Sequence, residues 1–175
     1  SDGSVLDVYY PSPEVGPAPK SDLQWFPPKE LDDKAGFDEL RNVKTEVVRT
    51  EIDLDSEVSS TQDAYLRLHL LSHLLVAPNQ LNLDGLIPNL PIVAFTNKGV
   101  MALDEFESRA FELRSAGVVA HSIDKFPRLI DYVVPKKVRI ADGNRVRLGA
   151  HLAPGTTVMH EGFVNFNAGT LGASM

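Results

Sequence analysis

The stretch Arg139-Ile140-Ala141-Asp142-Gly143-Asn144-Arg145-Val146-Arg147-Leu148-Gly149-Ala150-His151-Leu152-Ala153-Pro154-Gly155-Thr156-Thr157-Val158 decides how the C-terminal part of this chain folds. Aliphatic side chains fall at Ile140, Val146, Leu152 and Val158, and the series continues through Val164 to Thr170 in steps of six. Glycines at 143, 149 and 155 each follow one of these positions by three. Neither the helical period of about 3.6 nor the alternation of an ordinary strand gives that spacing. A six-residue repeat builds a parallel β-helix. Each unit makes one flat side of a triangular coil, its aliphatic residue points into the prism, and glycine permits the turn. Three units close one coil, so 140–157 is a first coil and 158–175 a second. The units beginning at Val164 and Thr170 keep the period but lose the glycine phase. A meander of antiparallel strands would make the common register of five aliphatic residues a coincidence.

Upstream, the pattern is that of a different domain. Pro11, Pro13, Pro17, Pro19, Pro27 and Pro28 crowd residues 1–40 and argue against a long helix or central strand there. Val5–Tyr10 reads as a short strand, and Gly16–Asp22 as an exposed loop. Residues 43–54 are β-branched and partly alternating, which predicts a strand. Ser59, Ser60 and Thr61 offer N-caps to a helix over 64–76 that Pro78 ends. Its stripe of Ala64, Leu68, Leu71 and Leu75 is read as core. Ile92–Thr96 reads as a strand turned by Asn97-Lys98-Gly99. A helix over 103–115 follows, with Phe106, Ala110, Phe111 and Leu113 inward and Gly117 closing it. Val118–His121 is a further strand. This order of strands and helices predicts an α/β N-terminal domain over 1–135, followed from 136 by the β-helix.

Composition narrows the function classes. Among 175 residues the formal charge is −7 and the 17 basic residues are scattered, which argues against nucleic acid. No cysteine is present, so disulfides, zinc–thiolate sites and a cysteine nucleophile are excluded. No apolar run approaches the roughly 18–20 residues that span a bilayer, and no signal peptide is evident, so a cytoplasmic location is expected. Two coils are too few to bury a solenoid's own face, because about three or more repeats and a cap are needed. The sequence therefore reads as part of a longer protein, the rest lying in further sequence or on a second chain that carries the C-terminal half.

The run from Arg139 to Asp142 and that from Arg145 to Asn165 resemble tetrahydrodipicolinate N-succinyltransferases. So do Asn167–Met175, Ala64–His73 and Asp124-Lys125-Phe126-Pro127-Arg128. The likeness covers most of residues 60–175. It implies a left-handed β-helix, a homotrimer with active sites between subunits, and transfer of a succinyl group from succinyl-CoA to the amino group of ring-opened tetrahydrodipicolinate, on the route to diaminopimelate and lysine. No cofactor is required beyond that co-substrate. The family's catalytic carboxylate belongs just after Met175, so no catalytic residue is expected within this chain, which alone should be inactive.

Site candidates follow from this resemblance. Asn165 and Asn167 stand at the coil beside that carboxylate and are candidates for substrate contact. Arg128 and Lys125 precede the first coil and could meet an anionic acceptor. Some relatives hold a divalent cation, with magnesium the natural candidate, at the trimer axis through a glutamate matching Glu161 and an aspartate in the preceding coil. Asn144 occupies the aspartate's place here and is a weaker ligand for a hard cation. His69 and His73, four apart on one helix, lack the neighbouring glutamate of a metalloprotease and read as a structural pair. Two other readings stay open: a trimerising β-helical module without catalysis, and another hexapeptide-repeat acyltransferase using His151 or His160 as base.

Overall fold

The computed structural model describes residues 3–17 and 25–175. Most of the loop expected over Gly16–Asp22 lies outside the described residues. In chain order the elements are α1 (Lys29–Asp32), β1 (Gly36–Asp38), β2 (Val43–Thr45), α2 (Thr61–Ser72), α3 (Leu86–Asn89), β3 (Val93–Thr96), β4 (Gly99–Ala102), α4 (Leu103–Ser108), α5 (Ala110–Ser115), β5 (Ala120–Asp124), β6 (Arg139–Ile140), β7 (His151–Leu152), β8 (Thr157–Val158) and β9 (Gly169–Thr170). The chain packs as two units: one of residues 1–6, 16–51 and 91–125, the other of 7–15, 52–90 and 126–175. Grouping by packing thus differs from a linear boundary at 135/136, since α2 shares a core with the six-residue repeat.

The first unit holds an antiparallel sheet in the order β4-β3-β5 and the small hairpin β1-β2. Asn97 and Lys98 turn β3 into β4, a strand that the sequence reading passed over because Val100 and Met101 are too short an apolar run to show a period. On one face Ala94 and Met101 pack with Leu113, Val118, Leu103 and Phe106. The helix expected over 103–115 bends at Arg109, whose guanidinium is drawn to the Leu40 carbonyl and the Glu112 carboxylate. Phe111 consequently stands out in solvent at 89% exposure instead of facing the core. The strand expected over 43–54 pairs only through Thr45, because its partner β1 is three residues long.

In the second unit the Ser60 hydroxyl caps α2 by accepting the Asp63 N–H at 3.1 Å. The helix ends before Pro78. Leu74 adopts a left-handed φ of 62° and Leu75 N–H bonds back to the Leu70 carbonyl at 3.0 Å, a Schellman-type stop. Leu75 is turned outward by that stop, whereas Ala64, Leu68 and Leu71 are fully buried as expected. Arg67 is buried too. Its Nε donates to Asp63 Oδ1 at 2.7 Å, Nη1 to the carbonyls of Leu54 (3.0 Å) and Asn82 (2.6 Å), and Nη2 to that of Asp53 (2.9 Å).

Val5–Tyr10 forms no strand. Its Tyr10 N–H donates instead to His69 Nε2 at 3.3 Å, its Tyr10 hydroxyl to the Gln62 carbonyl, and the Asp7 carboxylate accepts the Tyr132 hydroxyl at 2.7 Å. His69 is wholly buried, with Nδ1 donating to the Tyr65 carbonyl at 2.7 Å. Both ring nitrogens are therefore occupied by structural bonds. Burial holds its pKa down to about 4.

Within the six-residue repeat the strand pairing is parallel. Parallel pairings join residues eighteen apart: β6 with β8 (139 with 157), Val146 with Val164, and β7 with β9 (151 with 169). Eighteen residues are three units of six. Val146, Leu148, Ala150 and Leu152 are buried and form one core with Tyr65 and Leu68 of α2. Gly149 and Gly155 take left-handed φ values of 96° and 90°. Gly143 does not: it opens a 3-10 turn (Gly143–Arg145), with the end of the exposed Ile130 side chain lying over it. Among the described residues no helix is long and apolar enough to cross a membrane.

Two measurements check this packing. Asp63→Ala, which strands the Arg67 guanidinium, should lower stability to urea by about 3–5 kcal/mol, and Asp63→Leu with Arg67→Met should recover part of it. A histidine whose pKa is lowered in the folded state loses stability as pH falls. The unfolded chain takes up the proton first, so stability present above about pH 6.5 should drain away down to about pH 4, by about 3 kcal/mol. His69→Gln should flatten that dependence of the urea midpoint.

Candidate functional site

The candidate residues of the second unit gather along stacked corners of the repeat. Arg128 lies just before a 3-10 turn (Leu129–Asp131), and its Nε and Nη2 grip the Asp131 carboxylate at 2.9 and 3.0 Å. Its Nη1 reaches Asn144 Oδ1 at 3.5 Å, and its backbone bridges Arg147. Asn144 is held by Asp142, whose Oδ1 accepts both its N–H (2.9 Å) and its Nδ2 (3.1 Å). The next residue, Arg145, donates to the carbonyls of Gly162 (3.1 Å) and Glu161 (2.8 Å).

Arg147 orders the next layer. Its guanidinium lies over the Phe126 ring at 5.0 Å and near Phe163 at 5.8 Å, while Phe126 stacks on Phe166 at 4.5 Å and 4°. Arg147 Nη1 donates to Asn165 Oδ1 at 3.2 Å, and the same oxygen accepts Phe166 N–H at 2.9 Å. Asn167 is used differently. It takes a left-handed φ of 54°, its Oδ1 accepts Asn79 N–H at 2.8 Å, and its Nδ2 donates to Asn79 Oδ1 at 3.0 Å. Its backbone N–H closes on the Gly149 carbonyl at 2.9 Å. Both hydrogen-bonding ends of the Asn167 amide are thus bound within the protein. Lys125 belongs to the first unit, where its backbone N–H donates to Asp124 Oδ1 at 2.7 Å.

The structure therefore brings Arg128 to Asn144 and puts Asn165 and Asn167 at one corner. Sequence reasoning missed Arg147 and Asn79. Arg147 stands eighteen residues before Asn165, so the coil period itself could have located it beneath that amide. Nothing in the sequence links Asn79 to a residue 88 positions away.

Metal and histidine readings meet specific obstacles. The Glu161 carboxylate is 88% exposed and pairs with His160 Nε2 at 3.3 Å, and Asn144 already bonds to Asp142. Among the described residues no three or more His, Cys, Asp or Glu side chains form a metal-holding group. One chain's Glu161 and Asn144 offer too few oxygens for a hard cation, which takes about six, so the residues of a single chain do not fit the ion. His151 is buried with Nδ1 on the Thr170 carbonyl (3.1 Å), which leaves it poorly placed as a base.

Residues 90–128 match the family model described as "Tetrahydrodipicolinate N-succinyltransferase middle". The chain is 48% identical over 185 aligned positions to a protein of Salinispora tropica named 2,3,4,5-tetrahydropyridine-2,6-dicarboxylate N-succinyltransferase, covering 100% of this chain and 57% of that protein. A Pseudomonas aeruginosa protein of the same name is 56% identical over 131 positions, covering 74% of this chain and 38% of its own length. A Campylobacter jejuni crystal structure, described as a 2,3,4,5-tetrahydropyridine-2-carboxylate N-succinyltransferase, matches with a TM-score of 0.63 at 36% identity, over 68% of this chain and 32% of that one. This chain spans only about half of the relatives it matches.

The Asn79–Asn167 pair is open to test without any ligand. Glycine keeps the left-handed backbone and removes the amide, so Asn79→Gly and Asn167→Gly should each cost about 1 kcal/mol in urea unfolding. The double variant should cost clearly less than the sum, as expected of residues that share one interaction.

Proposed function

This chain belongs to the tetrahydrodipicolinate N-succinyltransferase family, and we propose that the protein carrying it transfers a succinyl group from succinyl-CoA to the amino group of ring-opened tetrahydrodipicolinate, on the route to diaminopimelate and lysine. The observation that carries this reading is 48% identity along the full length of the chain to a relative of that name. Because the chain spans about half of its relatives, the activity is assigned to the whole protein.

The chemistry is aminolysis of a thioester. The acceptor's amine loses a proton and attacks the thioester carbonyl. The C–S bond breaks, an amide forms, and coenzyme A leaves as a thiolate that regains a proton. The acceptor brings two carboxylates, for which donors are needed. In this reading Asn165 contacts the acceptor, Arg128 contributes positive charge near it, and Asn167 supports the corner through Asn79, while Lys125, in the first unit, is a separate candidate for an anionic group. The base that takes the ammonium proton is assigned to no residue of this chain.

The architecture proposed with it is an α/β region over 1–135 leading into a left-handed β-helix from 136, assembled as a cytoplasmic homotrimer. The pairing of residues eighteen apart supports the coil. Three copies of Glu161 and Asn144 around an axis would raise the donor set to about the six oxygens that magnesium takes.

The test is acceptor-dependent release of coenzyme A by the whole protein, read with a thiol reagent while the acceptor's mass gain is followed. Release should require both tetrahydrodipicolinate and succinyl-CoA. Release with neither acceptor present nor product formed would sink the reading, as would no release at all.

A further inference from the structure

The side-chain amide of Asn165 has only one orientation compatible with its neighbours. Arg147 Nη1, at 3.2 Å, and Phe166 N–H, at 2.9 Å, both point at the same atom, and neither can accept a hydrogen bond. Two donors converging on one end of an amide require that end to be the oxygen. The other end is then the NH2 group. Among the described residues none accepts a hydrogen bond from Asn165 Nδ2, and the residue is only half-buried. Asn167, two positions on, is the opposite case, with Oδ1 and Nδ2 both bonded to Asn79.

Arg147 is itself held in place. Its guanidinium covers the Phe126 face at 5.0 Å and approaches Phe163 at 5.8 Å, and Phe126 is backed by Phe166. A planar cation kept against rings loses little freedom when it donates, so it fixes the sense of the amide firmly. The corner thus offers an oriented pair of N–H donors with a guanidinium behind the amide that polarises it.

We propose that Asn165 recognises a carboxylate of the acyl acceptor through Nδ2, and that Arg147 is the positioning residue that fixes which end of the Asn165 amide faces that ligand. This assignment rests on the succinyl-transfer reading and specifies one of its contacts. It makes Asn165 a donor only, selective for an anionic oxygen and unable to serve a cationic group.

Steady-state kinetics of the whole protein with tetrahydrodipicolinate and succinyl-CoA test it. Asn165→Asp keeps an oxygen for Arg147 and Phe166, so the corner folds, but it puts a carboxylate oxygen where the NH2 stood. The KM for tetrahydrodipicolinate should rise about tenfold or more, as loss of a charge-assisted bond with added repulsion requires, while the KM for succinyl-CoA stays within about twofold. Arg147→Met, which leaves the amide oxygen held by the Phe166 N–H but no longer by the guanidinium, should raise the acceptor KM by a smaller factor, and Arg147→Lys should restore most of it. An acceptor KM unchanged in Asn165→Asp, or a rise shared equally by both substrates, would overturn the Asn165 contact while leaving succinyl transfer intact. An unchanged acceptor KM in Arg147→Met would overturn the positioning role. A wild-type protein that transfers no succinyl group would overturn the functional reading and this assignment together.

Discussion

The second unit is organised by a guanidinium that has no access to water. Arg67 is 1% exposed, on the middle of α2, and its cost of desolvation is offset by a carboxylate one helical turn earlier and by three backbone carbonyls. Those carbonyls belong to Asp53, Leu54 and Asn82, and the Leu54 carbonyl also accepts the Asn82 N–H at 2.8 Å, so the guanidinium sits where the two segments meet. The arginine adds donors to these carbonyls and so ties both segments to the helix. Asp63 joins the same network at the other end, with Oδ2 accepting Ser59 N–H at 3.0 Å while its own N–H caps onto Ser60.

Once α2 is fixed, it determines where the repeat can stack. Leu68 and Tyr65 fill the core that Val146, Leu148, Ala150 and Leu152 line, and the Ser72 hydroxyl sits between Gly149 N–H (2.8 Å) and the Ala150 carbonyl (3.1 Å). Gly149 is held to glycine on two counts: its φ of 96° and the 2.5 Å that a Cβ would leave to the Leu68 side chain. α2 in this way supplies apolar cover to one layer of the repeat.

The candidate site inherits its geometry from that stack. Residues eighteen apart lie one above the other, so Arg147 comes beneath Asn165 and Arg145 beside the carbonyls of 161 and 162. Side chains that share a corner differ sharply in what they can still do. Asn167 bonds its amide to Asn79, Arg128 bonds two donors to Asp131, and among the described residues none accepts from the Asn165 NH2.

The sequence by itself determined the elements whose signal is periodic or local. The six-residue recurrence from Ile140 to Thr170, the apolar run of β3 and the capped start of α2 all appear in the structure, because each depends on spacing or on a hydrogen bond within a few residues. It also pointed to Asn165 and Arg128, through likeness to a family. Tertiary structure alone decided the rest. Val5–Tyr10 became a strap held by His69 and Tyr132, the helix over 103–115 bent where Arg109 found Leu40, and Arg67 went inside. Asn79 met Asn167 across 88 residues. Each of these is set by a polar group finding a partner far away in the chain. A period records which side chains share a face, but not which distant donor and acceptor will meet once those faces close.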